Sequence, residues 1–264
     1  MTEGLALEFE SPPPLTLTPP PYALPDPSQL EDIREFLPVL LSRRLIRPIK
    51  SPVPLFFSRV FIVPKKDGPN RLIIDLSRLN EVLVTPSFKM ERIWDIASCI
   101  VEPMWGCTID LQDAFYHIPM AWFFHVFLAF VVDCQTYVFQ VLPFGLAIAP
   151  WAFSRVTKPI SSRLHLLLIR FHAYLDIFLV LASSRLDLLE KTSVVLSLLE
   201  RLGLSVNQKK SNLTPSKPWT TWVLPFTSTP YSFLFPPPKS LPSSSNARLP
   251  WHIPSSLAGF WRAW

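Results

Sequence analysis

Residues 55–212 predict a mixed domain of strands and helices, either α+β or α/β. Short apolar runs bounded by turn residues indicate strands, and longer segments with apolar residues at helical spacing indicate helices. The two kinds of segment alternate along the chain. Hydrophobic residues make up 49% of the sequence, which is enough to build a core.

The first part of the chain is rich in proline. Residues 1–28 include two runs of three prolines, so we expect an extended and disordered segment there. From Gln29 to Leu45 the apolar residues recur at helical spacing. Pro38 should bend or divide this helix, because proline lacks the N–H that a helix interior uses.

The centre of the chain contains the other predicted elements. An Asp-Gly pair at 67–68 favours a hairpin between the first two strands. Gly203 suits the C-terminal cap of the last helix. The apolar face of that helix is predicted to comprise Leu186, Leu189, Val194, Val195, Leu198, Leu199 and Leu202. The predicted elements are strands at 55–64, 71–76, 105–111, 127–132 and 136–141, a helix at 144–168, a strand–turn–strand at 171–182, and a helix at 186–202.

The end of the chain has a different composition. Residues 214–264 contain ten prolines, many serines, four bases and no acids. Such a segment buries little apolar surface, so we expect little packed structure in it.

Charge is unevenly distributed along the chain. Residues 1–39 carry seven acids and one base, whereas residues 40–80 carry nine bases and two acids. A local basic excess is typical of a surface that contacts a phosphate backbone. A solvated basic face with no partner explains it equally well.

Cysteine usage and hydropathy bear on the compartment. The three cysteines have no metal-binding spacing and no signal peptide opens the chain, so we expect reduced thiols and an intracellular protein, in the cytoplasm or nucleus. The longest apolar stretch, 118–132, is interrupted and is shorter than the roughly 18 residues of a membrane span. No membrane partner is therefore expected.

Two aspartates are placed where metal-dependent chemistry would need them. Asp110 ends an apolar strand, and Asp176 lies in the turn of an apolar hairpin. Carboxylates at adjacent strand ends can hold the two Mg²⁺ ions that nucleotidyl transfer uses. Each aspartate taken alone is more typical of an ordinary turn or cap, and only the fold could bring the two together.

Six segments, in this order and at these separations, are more specific than any one of them. They are 60–68 (VFIVPKKDG), 71–80 (RLIIDLSRLN), 109–119 (IDLQDAFYHIP), 142–146 (LPFGL) with Ala149 and Pro150, 174–176 (YLD), and 202–204 (LGL) with Asn207, Lys210 and Ser211. Over residues 40–214 the chain is similar to the reverse transcriptases of long-terminal-repeat and tyrosine-recombinase retroelements. The motifs resemble the DIRS-like group most.

This resemblance implies a fold and partners. The fold would be α+β, with the fingers and palm of a right-hand polymerase over residues 29–213, an antiparallel palm sheet and helices behind it. The thumb would be truncated or absent, and no ribonuclease H domain is expected in the remaining residues. The implied partners are an RNA or DNA template-primer and deoxynucleoside triphosphates. The oligomeric state stays open.

The resemblance also assigns roles to individual residues. Asp110 and Asp176 would be the catalytic metal ligands, joined by the carbonyl of Leu111, and would hold two Mg²⁺ (or Mn²⁺) ions in an active enzyme. Lys65 and Arg71 would hold the triphosphate, and Lys210 would donate a proton to the pyrophosphate. The other implied nucleotide-binding residues are Asp113, Phe115, which would exclude a 2′-hydroxyl, Phe144 and Gly145.

The residues themselves also allow plainer interpretations. Phe115 suits a core position, Lys65 flanks a turn and is compatible with a solvated cation, and Gly145 suits an ordinary turn. The histidines at 117, 125, 165 and 172 have no ligand spacing and are interpreted as structural.

One departure from the family bears on activity. The family has two adjacent aspartates after the tyrosine and one variable residue, but the second position here is Ile177. An isoleucine cannot bind Mg²⁺, so we expect impaired activity. The alternatives are a polymerase-like fold that binds nucleic acid without catalysis, and an unrelated carboxylate-dependent enzyme.

Overall fold

The computed structural model describes residues 4–65, 68–88 and 104–217. The helices are α1 (Leu30–Ser42), α2 (Ser77–Asn80), α3 (Ala149–Leu166) and α4 (Arg185–Arg201). The strands are β1 (Ile46–Pro48), β2 (Val60–Lys65), β3 (Gly68–Ile74), β4 (Trp105–Asp110), β5 (Ala129–Val132), β6 (Gln135–Phe139), β7 (Arg170–Tyr174), β8 (Ile177–Ala182) and β9 (Asn212–Ser216).

The largest sheet in these ranges is antiparallel, with the strand order β7-β8-β4-β9. Every residue of β8 is buried, because β7 and β4 pair with its two edges and helix α4 packs against it. Helix α3 packs against β7. This arrangement confirms the predicted α+β class with an antiparallel palm sheet supported by helices.

Two smaller antiparallel units accompany the palm sheet. Strands β1, β6 and β5 form one sheet, and β2 and β3 form a hairpin in which Lys65 pairs with Gly68. The turn residues 66–67 and the side chains of residues 64–69 lie outside the described part of the chain. The side chain of Lys65, a predicted nucleotide-binding residue, is therefore outside the described part as well.

Helix α4 buries a different face from the one predicted. The fully buried positions are Leu188, Val195 and Leu199, together with Thr192. Leu186 and three other members of the predicted face are exposed: Leu189, Val194 and Leu202. The prediction was wrong for these four because leucines surround the helix, and contact with β4 and β8 decides which of them are covered. Gly203 has a φ of 75°, in agreement with the predicted cap.

The N-terminal strap, residues 4–29, corrects the prediction of a disordered segment 1–28. Its residues form isolated bridges with Met120, Leu83 and Leu55. Leu7 is buried, and the ring of Phe9 lies 4.7 Å from that of Phe127 and 6.5 Å from that of Phe124. The proline content hid an alternation of apolar residues at positions 5, 7 and 9, which lets an extended segment bury one side.

Two further boundaries differ from the predictions. Helix α1 spans Leu30–Ser42 instead of 29–45 and is not divided at Pro38, one of the two outcomes predicted there. Its residues Ile33 and Leu40 are buried. Strand β9 continues to Ser216, beyond the predicted limit at 213. The expectation of little packed structure, and that of a truncated or absent thumb, concern residues 218–264, which lie outside the described part. Within the described part, no helix is long and apolar enough to cross a membrane.

Candidate active site

The palm sheet brings the two predicted catalytic aspartates together at one end of its central strands, β4 and β8. In the antiparallel register of β4 and β8, Asp110 pairs with Ile177, the residue directly after Asp176. The backbone N–H of Leu111 donates to the backbone carbonyl of Asp176 at 2.8 Å. Both aspartates are half-buried. The fold thus brings together the backbones of two aspartates that are far apart in sequence.

The turn that presents Asp176 is conformationally unusual. Tyr174 and Ile177 pair across a two-residue loop, and Leu175 at its first position has a φ of 52°. Hairpin loops with a positive φ at this position usually contain glycine there. A leucine in this conformation costs about 1–2 kcal/mol. The Leu175 side chain is 7% exposed, so its burial offsets part of this cost.

The loop between helix α4 and strand β9 forms hydrogen bonds with the backbone of Asp110. The N–H of Asp110 donates to Oγ of Ser211 at 2.9 Å, and the N–H of Asn207 donates to the carbonyl of Asp110 at 2.8 Å. Ser211 Oγ also donates to the carbonyl of Asn207 at 2.7 Å. These two residues were part of a matched segment, but no role was predicted for them. They fix the backbone that carries the carboxylate.

His117 supports the same region. Its Nε2 accepts the N–H of Ser205 at 3.1 Å, so its Nδ1 carries the proton and donates to the carbonyl of Ala114 at 3.1 Å. The N–H of Gln112 donates to the carbonyl of Ser205 at 2.8 Å. His117 therefore has a structural environment, in line with its interpretation from sequence.

Burial and nearby cations act in opposite directions on Asp176. Burial raises the pKa of its carboxyl group, while its own backbone N–H, Lys210 and Arg71 lower that pKa. Burial also raises the pKa of Tyr174, and Asp176 raises it further. Two predicted nucleotide-binding cations therefore act electrostatically on one predicted catalytic aspartate. Lys210 is exposed and Arg71 is half-buried.

An aromatic cluster adjoins these cations. The ring of Phe115 lies 5.1 Å from that of Phe144 and 5.8 Å from that of Phe153, and only 3% of Phe115 is exposed. The guanidinium of Arg71 lies 5.8 Å from the centre of the Phe144 ring. The structure brings Phe115, Phe144 and Arg71 together. The deep burial of Phe115 shows that it also belongs to the core, the plainer interpretation of this residue from sequence.

Asn80 fixes the loop that carries Gly145. The amide nitrogen of Asn80 donates to the carbonyl of Gly145 at 2.8 Å, and its amide oxygen accepts the N–H of Ala147 at 2.9 Å. Gly145 is exposed and has a φ of 100°, and an added Cβ would lie 3.1 Å from the carbonyl oxygen of Ile74. Glycine is favoured here by the positive φ, and a side chain would make a tight contact with the Ile74 carbonyl. Asn80 was within a predicted motif, but this positioning role was missed.

The last predicted nucleotide-binding residue, Asp113, starts the turn after β4. It has a φ of 51° and precedes the short 3-10 helix Ala114–His117. Its carboxylate accepts Nη1 of Arg43 at 2.7 Å.

Ile177 lies next to the predicted metal ligands. Its side chain is 5% exposed and occupies the cross-strand position opposite Asp110. Residues paired in this way have neighbouring side chains on one face of the sheet. No three His, Cys, Asp or Glu side chains in the described ranges are grouped closely enough to hold a metal ion. Asp110 and Asp176 supply the hard oxygen ligands that Mg²⁺ prefers, but no third carboxylate.

An antiparallel palm sheet with two carboxylates at one edge is the core of a template-directed polymerase. The family described as reverse transcriptase (RNA-dependent DNA polymerase) matches residues 63–234, and the chain belongs to this family. It is a reverse transcriptase domain of the kind found in retrotransposon Pol polyproteins.

Similar proteins come from mobile elements and viruses. The Pol polyprotein of transposon 412 from Drosophila melanogaster is 27% identical over 69% of this chain and 15% of the relative. That of transposon opus, from the same organism, is 31% identical over 66% of this chain and 17% of the relative. The chain therefore spans less than a fifth of either relative. The DIRS-like subtype stays a prediction.

Solved structures show the same fold. The foamy viral protease-reverse transcriptase in complex with an RNA/DNA hybrid superimposes with a TM-score of 0.63. It is 20% identical, and the match covers 80% of this chain and 28% of that one. A complex of the foamy viral protein with double-stranded DNA gives a TM-score of 0.65 at 21% identity, covering 80% of this chain and 44% of that one.

Proposed function

We propose that this chain is the polymerase core of a retroelement reverse transcriptase, and that Ile177 impairs its nucleotidyl transfer. The observation that carries the proposal is the register of β4 and β8. It places Asp110 and Asp176 at one sheet edge and sets Ile177 directly opposite Asp110. The first fact supports the reaction, and the second supports its impairment.

The proposed partners are an RNA or DNA template-primer and deoxynucleoside triphosphates. The foamy viral relatives were solved with DNA and with an RNA/DNA hybrid, which supports a duplex as the partner here. Several bases of the segment 40–80 are exposed, and exposed cations attract a phosphate backbone. They include Arg44, Arg47, Lys50 and Arg59.

The proposed cofactor is Mg²⁺ or Mn²⁺, two ions in an active member of the family. Asp110, Asp176 and the carbonyl of Leu111 would hold it. A bound divalent ion would neutralise charge on the attacking and leaving oxygens. A metal binds the ionised carboxyl group, so the burial that raises the pKa of Asp176 opposes metal binding at low pH.

The remaining residues orient the nucleotide. Arg71 and Lys210, which act electrostatically on Asp176, would bind the triphosphate, and Lys210 would give a proton to the leaving pyrophosphate. Phe115 would limit the space at the sugar. Phe144 and Gly145 would line the pocket, and Lys65 on the β2–β3 hairpin would add a third cation to the triphosphate.

Ile177 impairs this arrangement for two reasons. It supplies no oxygen ligand, and it replaces a negative charge with a buried hydrocarbon beside Asp110. Loss of a metal-supporting group typically costs about 10- to 100-fold in metal affinity or activity. A directly coordinating carboxylate belongs at the upper end of this range.

Extension of a DNA primer on an RNA template tests the proposal. The unaltered chain, Ile177→Asp, and Ile177→Asp combined with Asp110→Asn should be compared with Mg²⁺ and with Mn²⁺. We expect extension to increase with Ile177→Asp and to disappear when Asp110→Asn is added. If the double variant extends as well as Ile177→Asp, Asp110 is not a catalytic ligand and the assignment fails.

A further inference from the structure

An ion pair joins the end of helix α1 to the turn after strand β4. Nη1 of Arg43 donates to Oδ2 of Asp113 at 2.7 Å, across 70 residues of sequence. The two side chains are 39% and 34% exposed. The pair therefore lies at the surface of the domain, and Asp113 follows Asp110 by three residues in the chain.

The end of helix α1 holds Arg43 in a fixed place. The N–H of Leu45 donates to the carbonyl of Leu40 at 2.9 Å, and Arg44 has a φ of 55°. This is the Schellman ending of a helix, with an arginine where glycine is usual. The side-chain amide of Gln140 donates to the carbonyl of Arg44 at 3.1 Å. These bonds keep the backbone of Arg43 from moving away from its partner.

Asp113 is held in a conformation that needs support. Its φ of 51° is uncommon for a residue with a side chain, although aspartate tolerates it better than most. Tyr116 N–H donates to its carbonyl at 2.9 Å, which closes the first turn of the 3-10 helix. That helix carries Phe115, and Asp110 lies three residues before Asp113. The conformation of this turn therefore sets the position of groups proposed to contact the nucleotide.

The ion pair adjoins the cations of the site. Burial raises the pKa of the Tyr116 hydroxyl, Asp113 raises it further, and Arg43 and Arg71 lower it. The ring of Tyr116 lies 5.2 Å from that of Phe144, and the guanidinium of Arg71 lies 5.8 Å from the centre of the Phe144 ring. Arg71 also acts on Asp176 and lies over Phe144. A triphosphate bound by Arg71 would thus be near the carboxylate of Asp113.

We propose that Arg43 is a positioning residue of the nucleotide site, which neutralises Asp113 and holds its turn. Without Arg43, a free carboxylate would face the several negative charges of an incoming triphosphate and repel them. This inference rests on the proposed function, because it requires a nucleotide to bind beside Arg71.

The ion pair has little to do with the stability of the domain. Partly exposed pairs typically contribute about 0–1 kcal/mol to folding. Removing Arg43 should therefore leave the protein folded and change nucleotide affinity instead. This separates a positioning role from a structural one.

Nucleotide affinity on a chain-terminated primer tests the inference. The full chain is mixed with an RNA-templated, dideoxy-ended DNA primer and Mg²⁺, and the Kd of the next complementary deoxynucleotide is measured from stabilisation of the protein–duplex complex. Arg43→Gln should weaken this Kd about fivefold, the upper limit for a partly exposed charge pair. Asp113→Asn removes only the charge of this predicted nucleotide-binding residue and keeps its backbone N–H. Adding it should restore the Kd to within about twofold, because the unpaired carboxylate is gone.

Two further variants serve as controls. Arg185→Gln makes the same charge change at the start of α4, at the far end of β8 from Asp176, and should leave the Kd within about twofold of the unaltered chain. Arg43→Lys keeps the charge and should retain most of the affinity, which covers the case in which Arg43→Gln does not fold.

Each other outcome overturns the inference. An unchanged Kd for Arg43→Gln removes the role, and a loss that Asp113→Asn does not restore means that Arg43 binds the nucleotide or template itself. A loss with Arg185→Gln equal to that with Arg43→Gln reduces the effect to net charge. If the unaltered chain binds the duplex but no deoxynucleotide, the proposed function fails first, and the inference falls with it.

Discussion

Replacing Ile177 by aspartate should make the stability of the domain depend on divalent metal. Ile177 is 5% exposed and opposite Asp110. Removing a buried isoleucine costs about 2–5 kcal/mol. A new carboxylate next to Asp110 adds charge repulsion, so we expect Ile177→Asp to lower the free energy of unfolding by roughly 4 kcal/mol in EDTA.

Ile177→Asn is the matched control, because asparagine has nearly the shape of aspartate without its charge. In EDTA the asparagine variant should be the more stable of the two. Metal at 100 times its Kd stabilises the folded state by about 2.7 kcal/mol. At saturating Mn²⁺ the order of the two variants should therefore reverse.

Urea unfolding, monitored by circular dichroism, gives the order of stability of the two variants in EDTA and in Mn²⁺. The reversal is the decisive result, since loss of packing affects the two variants alike. If Ile177→Asp stays less stable than Ile177→Asn at every Mn²⁺ concentration, the site opposite Asp110 does not bind metal. The account of impairment would then be refuted.

Three more predictions concern groups around the site and the core. Burial raises the pKa of Asp176, so its ionised form destabilises the metal-free fold. Asp176→Asn should therefore stabilise the protein more at pH 7 than near the ordinary aspartate pKa of 3.8. Urea unfolding in EDTA at the two pH values measures this difference. Gly145→Ala should cost about 2–3 kcal/mol, because strain and crowding add, whereas Gly203→Ala, in open space, should cost about 1 kcal/mol. Leu199→Ala should cost about 3 kcal/mol and Leu202→Ala under about 0.5 kcal/mol, since only Leu199 is fully buried.

Each of these predictions has a contrary result. A stabilisation by Asp176→Asn that grows as the pH falls would contradict the direction of the pKa shift. Equal losses for the two glycine variants would mean that the contact beside Gly145 relaxes without cost. A large loss of stability from Leu202→Ala would mean that the helix face predicted from sequence is the buried one.

The sequence predicted those elements whose signals are local. An alternation of apolar and turn residues located the palm strands, and the Gly203 cap marked the end of helix α4. The face of that helix was not predictable in full, because Leu186 and Leu188 are alike in hydropathy. Contact with the sheet covers Leu188 completely and leaves Leu186 74% exposed.

The site was predictable only through the order of its motifs. Asp110 and Asp176 meet because strands β4 and β8 pair in a particular register, which no local pattern specifies. Ser211 and Asn80 were missed as positioning residues for a similar reason. Their hydrogen bonds to Asp110 and Gly145 cross 101 and 65 residues of sequence. A strap of alternating apolar residues was likewise hidden by its prolines.

The rate of a single nucleotide addition tests the central claim most directly. The unaltered chain and Ile177→Asp would be bound to the same RNA-templated primer and given one complementary deoxynucleotide with Mg²⁺, under single-turnover conditions. We expect Ile177→Asp to be faster by about 100-fold, the upper end of the effect of a metal-supporting group. An unaltered chain that adds the nucleotide as fast as Ile177→Asp would show that the isoleucine opposite Asp110 does not limit catalysis.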